Sequence, residues 1–188
     1  FELYRTITTL NNLIVKYNKY QSDQTYKALL GEGYLLRAYC YFDLVRIFGE
    51  VPIIADLEVD YTISRSGFNE IYNFIEDDLT TAEKLLSDKR KPYSDYPHPS
   101  RGAAKALLSQ VYLTMAGYPL FKEEYYQYAY QLTKEILDSA ELFGYELQPD
   151  FEQLWNSNFK FNKECVLGIY CESPANSNDQ LYTNNILT

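Results

Sequence analysis

The chain has little of what catalytic sites are usually made from. Its 188 residues include one histidine, one tryptophan, one methionine and three cysteines. His98 stands between Pro97 and Pro99 with no second histidine or nearby cysteine, so it forms no triad or metal cluster by itself. Cys40, Cys165 and Cys171 are an odd set without metal-ligand spacing, which gives neither a disulfide framework nor a zinc site. Basic residues are scarce, 17 against 26 acidic ones, for a net charge of −9. That balance argues against nucleic-acid binding and against adsorption to anionic membranes, and leaves neutral ligands unaffected. Apolar runs break well short of the roughly 18 residues of a membrane-spanning helix. Gly31-x-Gly33 lacks the pattern that would make it a phosphate loop, and no nucleophile elbow is present. No cofactor is implied.

What the chain does have is tyrosine, 20 residues, alongside 10 phenylalanines. A tyrosine packs through its ring and keeps a polar tip, so such a chain can pack helices and still present aromatic surface to water. A hydrophobic content of 46% rules out a disordered segment and is enough for one packed domain.

Apolar periodicity predicts five helices. The first runs to about Tyr20, with Leu3, Ile7, Leu10, Leu13, Ile14 and Tyr17 inward and Asn11, Asn12 and Lys16 off the stripe. Ser22 or Asp23 caps a second, from about Gln24 to Phe48, whose face is Leu35, Ala38, Tyr39, Phe42, Val45 and Phe48. Gly49 ends it and Pro52 prevents its resumption. Gly31 and Gly33 inside it point to close approach by neighbouring helices. Ser66 or Gly67 opens a third helix, with Ile71, Phe74, Ile75, Leu79, Ala82, Leu85 and Leu86 inward and Glu76-Asp77-Asp78 read as a solvated face. Ser100 caps a fourth, with Ala103, Ala106, Leu107, Gln110, Val111 and Thr114 as its stripe. The fifth spans about Glu123 to Asp138, with Tyr126, Ala129, Tyr130, Leu132, Thr133 and Ile136 inward. Cys165 to Cys171 alternates like a strand, and Phe151, Leu154 and Trp155 recur like a buried turn. The fold class is therefore all-α, as tetratricopeptide-like stacked helical hairpins, with a little irregular or β structure near the C-terminus.

The candidate ligand-binding residues are Tyr93 and Tyr96, in the loop Tyr93-Ser94-Asp95-Tyr96-Pro97-His98-Pro99, and Tyr118 beside Pro119. Aromatic faces stack on the apolar faces of sugar rings while Asp and Ser bind hydroxyls. The competing reading is that these tyrosines only cover the loop on the helical body. No catalytic residues are found. A glycosidase needs two carboxylates facing across a cleft, and adjacent residues of one helix point apart.

One resemblance spans most of the chain. Leu36-Arg37-Ala38-Tyr39, Tyr41-Phe42-Asp43-Leu44-Val45 and Phe48-Gly49-x-Val51-Pro52 resemble the signature of the SusD/RagB family. So, in family order, do Glu76-x-Asp78-Leu79-x-x-Ala82, Gly102-Ala103-Ala104-Lys105-Ala106-Leu107-Leu108, Phe151-x-x-Leu154-Trp155 and Asn162-x-Glu164-x-Val166-Leu167. The resemblance implies a helical part of a longer, lipid-anchored, surface-exposed outer-membrane protein of Bacteroidetes-type bacteria, with residues 1–188 one SusD-like helical domain and 172–188 loop or disordered. The sequence starts at Phe1 without Met, and any anchor is expected outside it. The implied activity is non-catalytic glycan binding for nutrient uptake, with a TonB-dependent transporter as partner. The matched positions, Arg37 included, read as structural. The rival reading is a helical-repeat scaffold for protein partners with no sugar affinity.

Overall fold

The computed structural model describes residues 2–57, 62–88, 98–155, 162–169 and 184–185. Tyr93 and Tyr96 lie outside the described residues, as do Cys171 and the side chain of Trp155. Among the described residues six α-helices follow one another: α1 (Glu2–Tyr17), α2 (Gln24–Phe48), α3 (Phe68–Leu85), α4 (Arg101–Ala116), α5 (Tyr125–Asp138) and the single turn α6 (Ala140–Phe143). A two-residue strand β1 (Gly168–Ile169) pairs antiparallel with β2 (Asn184–Asn185). Each long helix packs on the next in sequence, α1 on α2, α2 on α3, α3 on α4 and α4 on α5. The result is the expected row of stacked hairpins.

Local chemistry sets the ends. Asp23 accepts the Thr25 backbone N–H at 2.8 Å and starts α2. Gly49 takes φ of 74° at its end, a conformation that suits glycine. The Gly67 backbone N–H donates to Glu70 Oε2 at 3.1 Å, which starts α3. Ser100 caps α4 and also exchanges a hydrogen bond with the Tyr145 hydroxyl at 2.8 Å.

α2 is buried around most of its circumference, because α1 covers one side and α3 the other. Leu35, Ala38, Tyr41 and Phe42 are at most 1% exposed. Phe48, expected on this face, is instead 64% exposed. The same geometry widens the buried face of α4. Ala103, Leu107 and Val111 are buried as expected, but so are Ala104, Leu108, Ser109 and Met115, because α5 packs on its far side. On α5 only Ala129 is fully buried, and Tyr126 and Tyr130 point to solvent rather than inward. Phe151 lies in a 3₁₀ turn (Phe151–Trp155) and is exposed, against the expectation of a buried turn.

The two glycines of α2 do mark close approach, unequally. A Cβ on Gly31 would meet Leu86 Cγ at 2.8 Å and Leu85 Cβ at 3.1 Å, atoms tied to the end of α3. A Cβ on Gly33 would meet the Leu13 Cδ2 methyl at 2.9 Å, the movable tip of a side chain. Alanine gains about 1 kcal/mol of helix propensity over glycine at either site, while overpacking costs about 1–3 kcal/mol. Gly33→Ala is therefore expected to be near neutral and Gly31→Ala to destabilise by about 1–2 kcal/mol. Thermal unfolding of the two variants side by side checks this; equal melting temperatures would contradict it.

Candidate functional site

The polar heart of the first three helices is structural. Asp78, expected on a solvated face, is 4% exposed, while Asp77 beside it is exposed. The Arg37 guanidinium donates to both Asp78 oxygens, each at 2.8 Å, and to Asn11 Oδ1 at 2.8 Å. Asn11 was expected off the buried stripe but is fully buried, and it donates to the Ile54 carbonyl at 2.7 Å. Tyr41 OH bonds both the carbonyl and the N–H of Ile54, at 3.2 and 2.8 Å. Arg37 also lies 4.8 Å from the Phe74 ring centroid and 5.4 Å from that of Tyr34. Every member finds a partner inside the protein.

His98 is half-exposed and is not alone: its Nδ1 lies 2.9 Å from Glu32 Oε1 on α2. Tyr118, the one candidate ligand residue within the described structure, is 80% exposed in the connection between α4 and α5. Its ring meets that of Phe121 edge to face at 5.9 Å, and Phe121 is itself 67% exposed. Phe121 has φ of 51°, held by its N–H bond to the Gly117 carbonyl at 2.7 Å. Non-glycine residues reach that region at a cost of about 1 kcal/mol or more, and such strain gathers at ligand sites. The pair forms a water-facing aromatic tip.

A second aromatic feature was missed in the sequence, because its residues come from two different helices. Tyr112 of α4, Tyr125 and Tyr128 of α5 form a ring cluster with centroids 5.2, 5.9 and 5.4 Å apart. It faces a groove of about 430 Å³ between α3 and α5. Glu76 of α3 forms one wall, and Gln131 and Glu135 of α5 the other. The Tyr112 hydroxyl donates to Glu76 Oε1 at 2.8 Å. Burial, and then that bond to the Glu76 carboxylate, hold the Tyr112 phenol well above its usual range. At the groove's end Lys105 bridges Glu83 at 2.9 Å and Glu135 at 2.7 Å. Burial works against the Lys105 ammonium, but its bonds to Glu135 and Glu83 outweigh this and raise its pKa. Among the described residues no three His, Cys, Asp or Glu side chains are grouped to hold a metal. None of the described helices is long and apolar enough to cross a membrane.

A stack of helical hairpins with a buried polar core and aromatic side chains left to solvent is a helical-repeat architecture. Residues 2–113 match a SusD-like family model described as starch-binding and associating with the outer membrane. The chain belongs to the SusD-like family. SusD-like protein P2 of Formosa agariphila is 30% identical over 162 residues, covering 84% of this chain and 30% of that protein. A SusD homolog from Bacteroides thetaiotaomicron superposes with a TM-score of 0.80 at 30% identity, over 94% of this chain and 36% of that one. A laminarin-binding SusD-like protein superposes with a TM-score of 0.76 at 27% identity, over 89% of this chain and 36% of its own length. The chain thus spans about a third of the length of these relatives.

Proposed function

We propose that this chain is the helical part of a protein that captures an oligosaccharide or polysaccharide at the outer-membrane surface, without cleaving it, for uptake. The observation that carries this reading is the family match over residues 2–113, described as starch-binding. A neighbour that binds laminarin supports it. In this reading the protein is lipid-anchored through a segment outside this sequence and works with a TonB-dependent transporter. Tyr118, with Tyr93 and Tyr96, supplies ring faces to the sugar. The negative charge of the chain is compatible with neutral polysaccharides.

The experiment is native affinity electrophoresis of the full-length protein through gels containing plant, host and microbial glycans. Retardation by one glycan class with no sugar released on incubation is the expected result. Sugar release would overturn the non-catalytic part of the reading. If Tyr118→Ala, and separately Tyr93→Ala with Tyr96→Ala, leave retardation unchanged, those residues are not the contacts. One observation favours a helical scaffold for protein partners instead: the outer face of α5 leaves Tyr126, Tyr130 and Leu137 53%, 61% and 70% exposed. Free migration in every gel, together with a protein complex that Leu137→Glu disrupts, would support that alternative.

A further inference from the structure

The groove between α3 and α5 combines the groups that bind a carbohydrate chain. Tyr128 is 48% exposed, and its ring is steadied by Tyr112 and Tyr125 packed against it. A sugar ring's axial C–H face stacks on such a platform, while its hydroxyls need planar, polar partners at the rim. Glu76 supplies one, held in orientation by the Tyr112 hydroxyl on Oε1, which leaves Oε2 to accept. Gln131, on the opposite wall, both donates and accepts. Glu135 is fixed at the groove's end by Lys105. These groups sit on three packed helices rather than on a loop, so they are positioned before any ligand arrives.

The charges choose among carbohydrates. Glu76 and Glu135 line the groove, and among the described residues no cation does. Lys105 is committed to two carboxylates, and the Lys122 ammonium lies 5.6 Å from the Tyr125 ring centroid. A uronate or sulfated chain would meet two carboxylates with no free arginine or lysine among the lining residues to receive it.

We infer that the Tyr112–Tyr125–Tyr128 groove is a glycan subsite on the helical scaffold, separate from the aromatic tip at Tyr118, and that it takes neutral rather than anionic saccharides. The inference rests on the reading of the protein as a glycan-capture protein. It adds a place and a chemical class that the loop tyrosines do not provide.

The test uses the full-length protein with laminarin and starch as neutral probes and polygalacturonate as the anionic one. The wild type is expected to be retarded by a neutral probe and not by polygalacturonate. Tyr128→Ala removes the exposed platform and is expected to weaken binding about tenfold. Glu76→Gln keeps an acceptor for Tyr112 but loses the carboxylate, and is expected to weaken it several-fold. Tyr128→Phe retains the ring and is expected to bind within about twofold of wild type, which separates loss of stacking from loss of fold. Wild-type affinity in both Tyr128→Ala and Glu76→Gln would overturn the groove and leave the capture reading standing. A preference for polygalacturonate would overturn the neutral class. A wild type that no glycan retards would remove the capture reading and the groove with it. Tyr128→Cys tests access: fast reaction with a thiol reagent, quenched by a bound neutral glycan, is expected. Protection without glycan would show protein covering the groove and would overturn the inference.

Discussion

Arg37→Ala is expected to lower stability by about 3–5 kcal/mol, the usual loss when one partner of a buried ion pair is removed. The side chains of Arg37 and Asp78 are 8% and 5% exposed, so water cannot replace the missing guanidinium. Asp78 would be left a buried carboxyl without its partner, and Asn11 would lose a partner on Oδ1. That loss is a large fraction of the about 5–15 kcal/mol that holds a domain together. Arg37→Lys is expected to fall between, because a lysine keeps the charge but not the fork that engages both Asp78 oxygens. The double change Arg37→Leu with Asp78→Leu removes both charges and is expected to recover much of the loss. Equilibrium urea unfolding followed by helical circular dichroism measures all three. An Arg37→Ala protein within about 1 kcal/mol of wild type would mean the network is dispensable.

That network shows where sequence reading reaches its limit. The limits of α2, a cap at Ser22 or Asp23 and its Gly49 stop were legible, because capping and periodicity are local, and the structure selects Asp23. The all-α hairpin order was legible for the same reason. Asp78 was not, because its partner lies 41 residues away and only the packing of α2 on α3 brings them together. Asn11 was misread likewise: a polar residue beside an apolar stripe looks solvent-facing until Arg37 and Ile54 give it partners. Phe48 and the α5 tyrosines failed in the other direction. A period tells which residues share a face, and not whether anything lies opposite that face. Of the candidate ligand residues, Tyr118 is 80% exposed, whereas Tyr112, Tyr125 and Tyr128 could not be grouped without the α3–α4–α5 contacts. Twenty tyrosines in the sequence made an aromatic surface predictable in kind, though not in place.

The same tyrosines give the fold a steep alkaline limit. Tyr41 and Tyr72 are 0% and 2% exposed, and Cys40 is 4% exposed. Burial raises the pKa of both phenols; at Tyr41 the bond with Ile54 opposes the rise without cancelling it. Burial, with a smaller contribution from Asp43, pushes the Cys40 thiol up to about 11. In each case the folded chain holds a proton that the unfolded chain releases at a lower pH. Their contribution is complete below the unfolded pKa values and is lost as pH rises through the window up to the folded ones. Each group takes about 1.4 kcal/mol per pH unit within its window. For Tyr41 and Cys40 together the expected loss is about 2 kcal/mol between pH about 10 and 11, and Tyr72 adds to it in the same direction. Tyr39 and Tyr112 are shifted the same way but are only half-buried, so solvent screening makes their share smaller. Urea midpoints measured across this range, with tyrosinate absorbance read in parallel, test the sign. The buried phenols should ionise together with unfolding and not before it. Tyr72→Phe removes one of the three protons and should flatten the slope. A stability that stays level to pH about 11 would show that these phenols and the thiol are not held protonated by the fold.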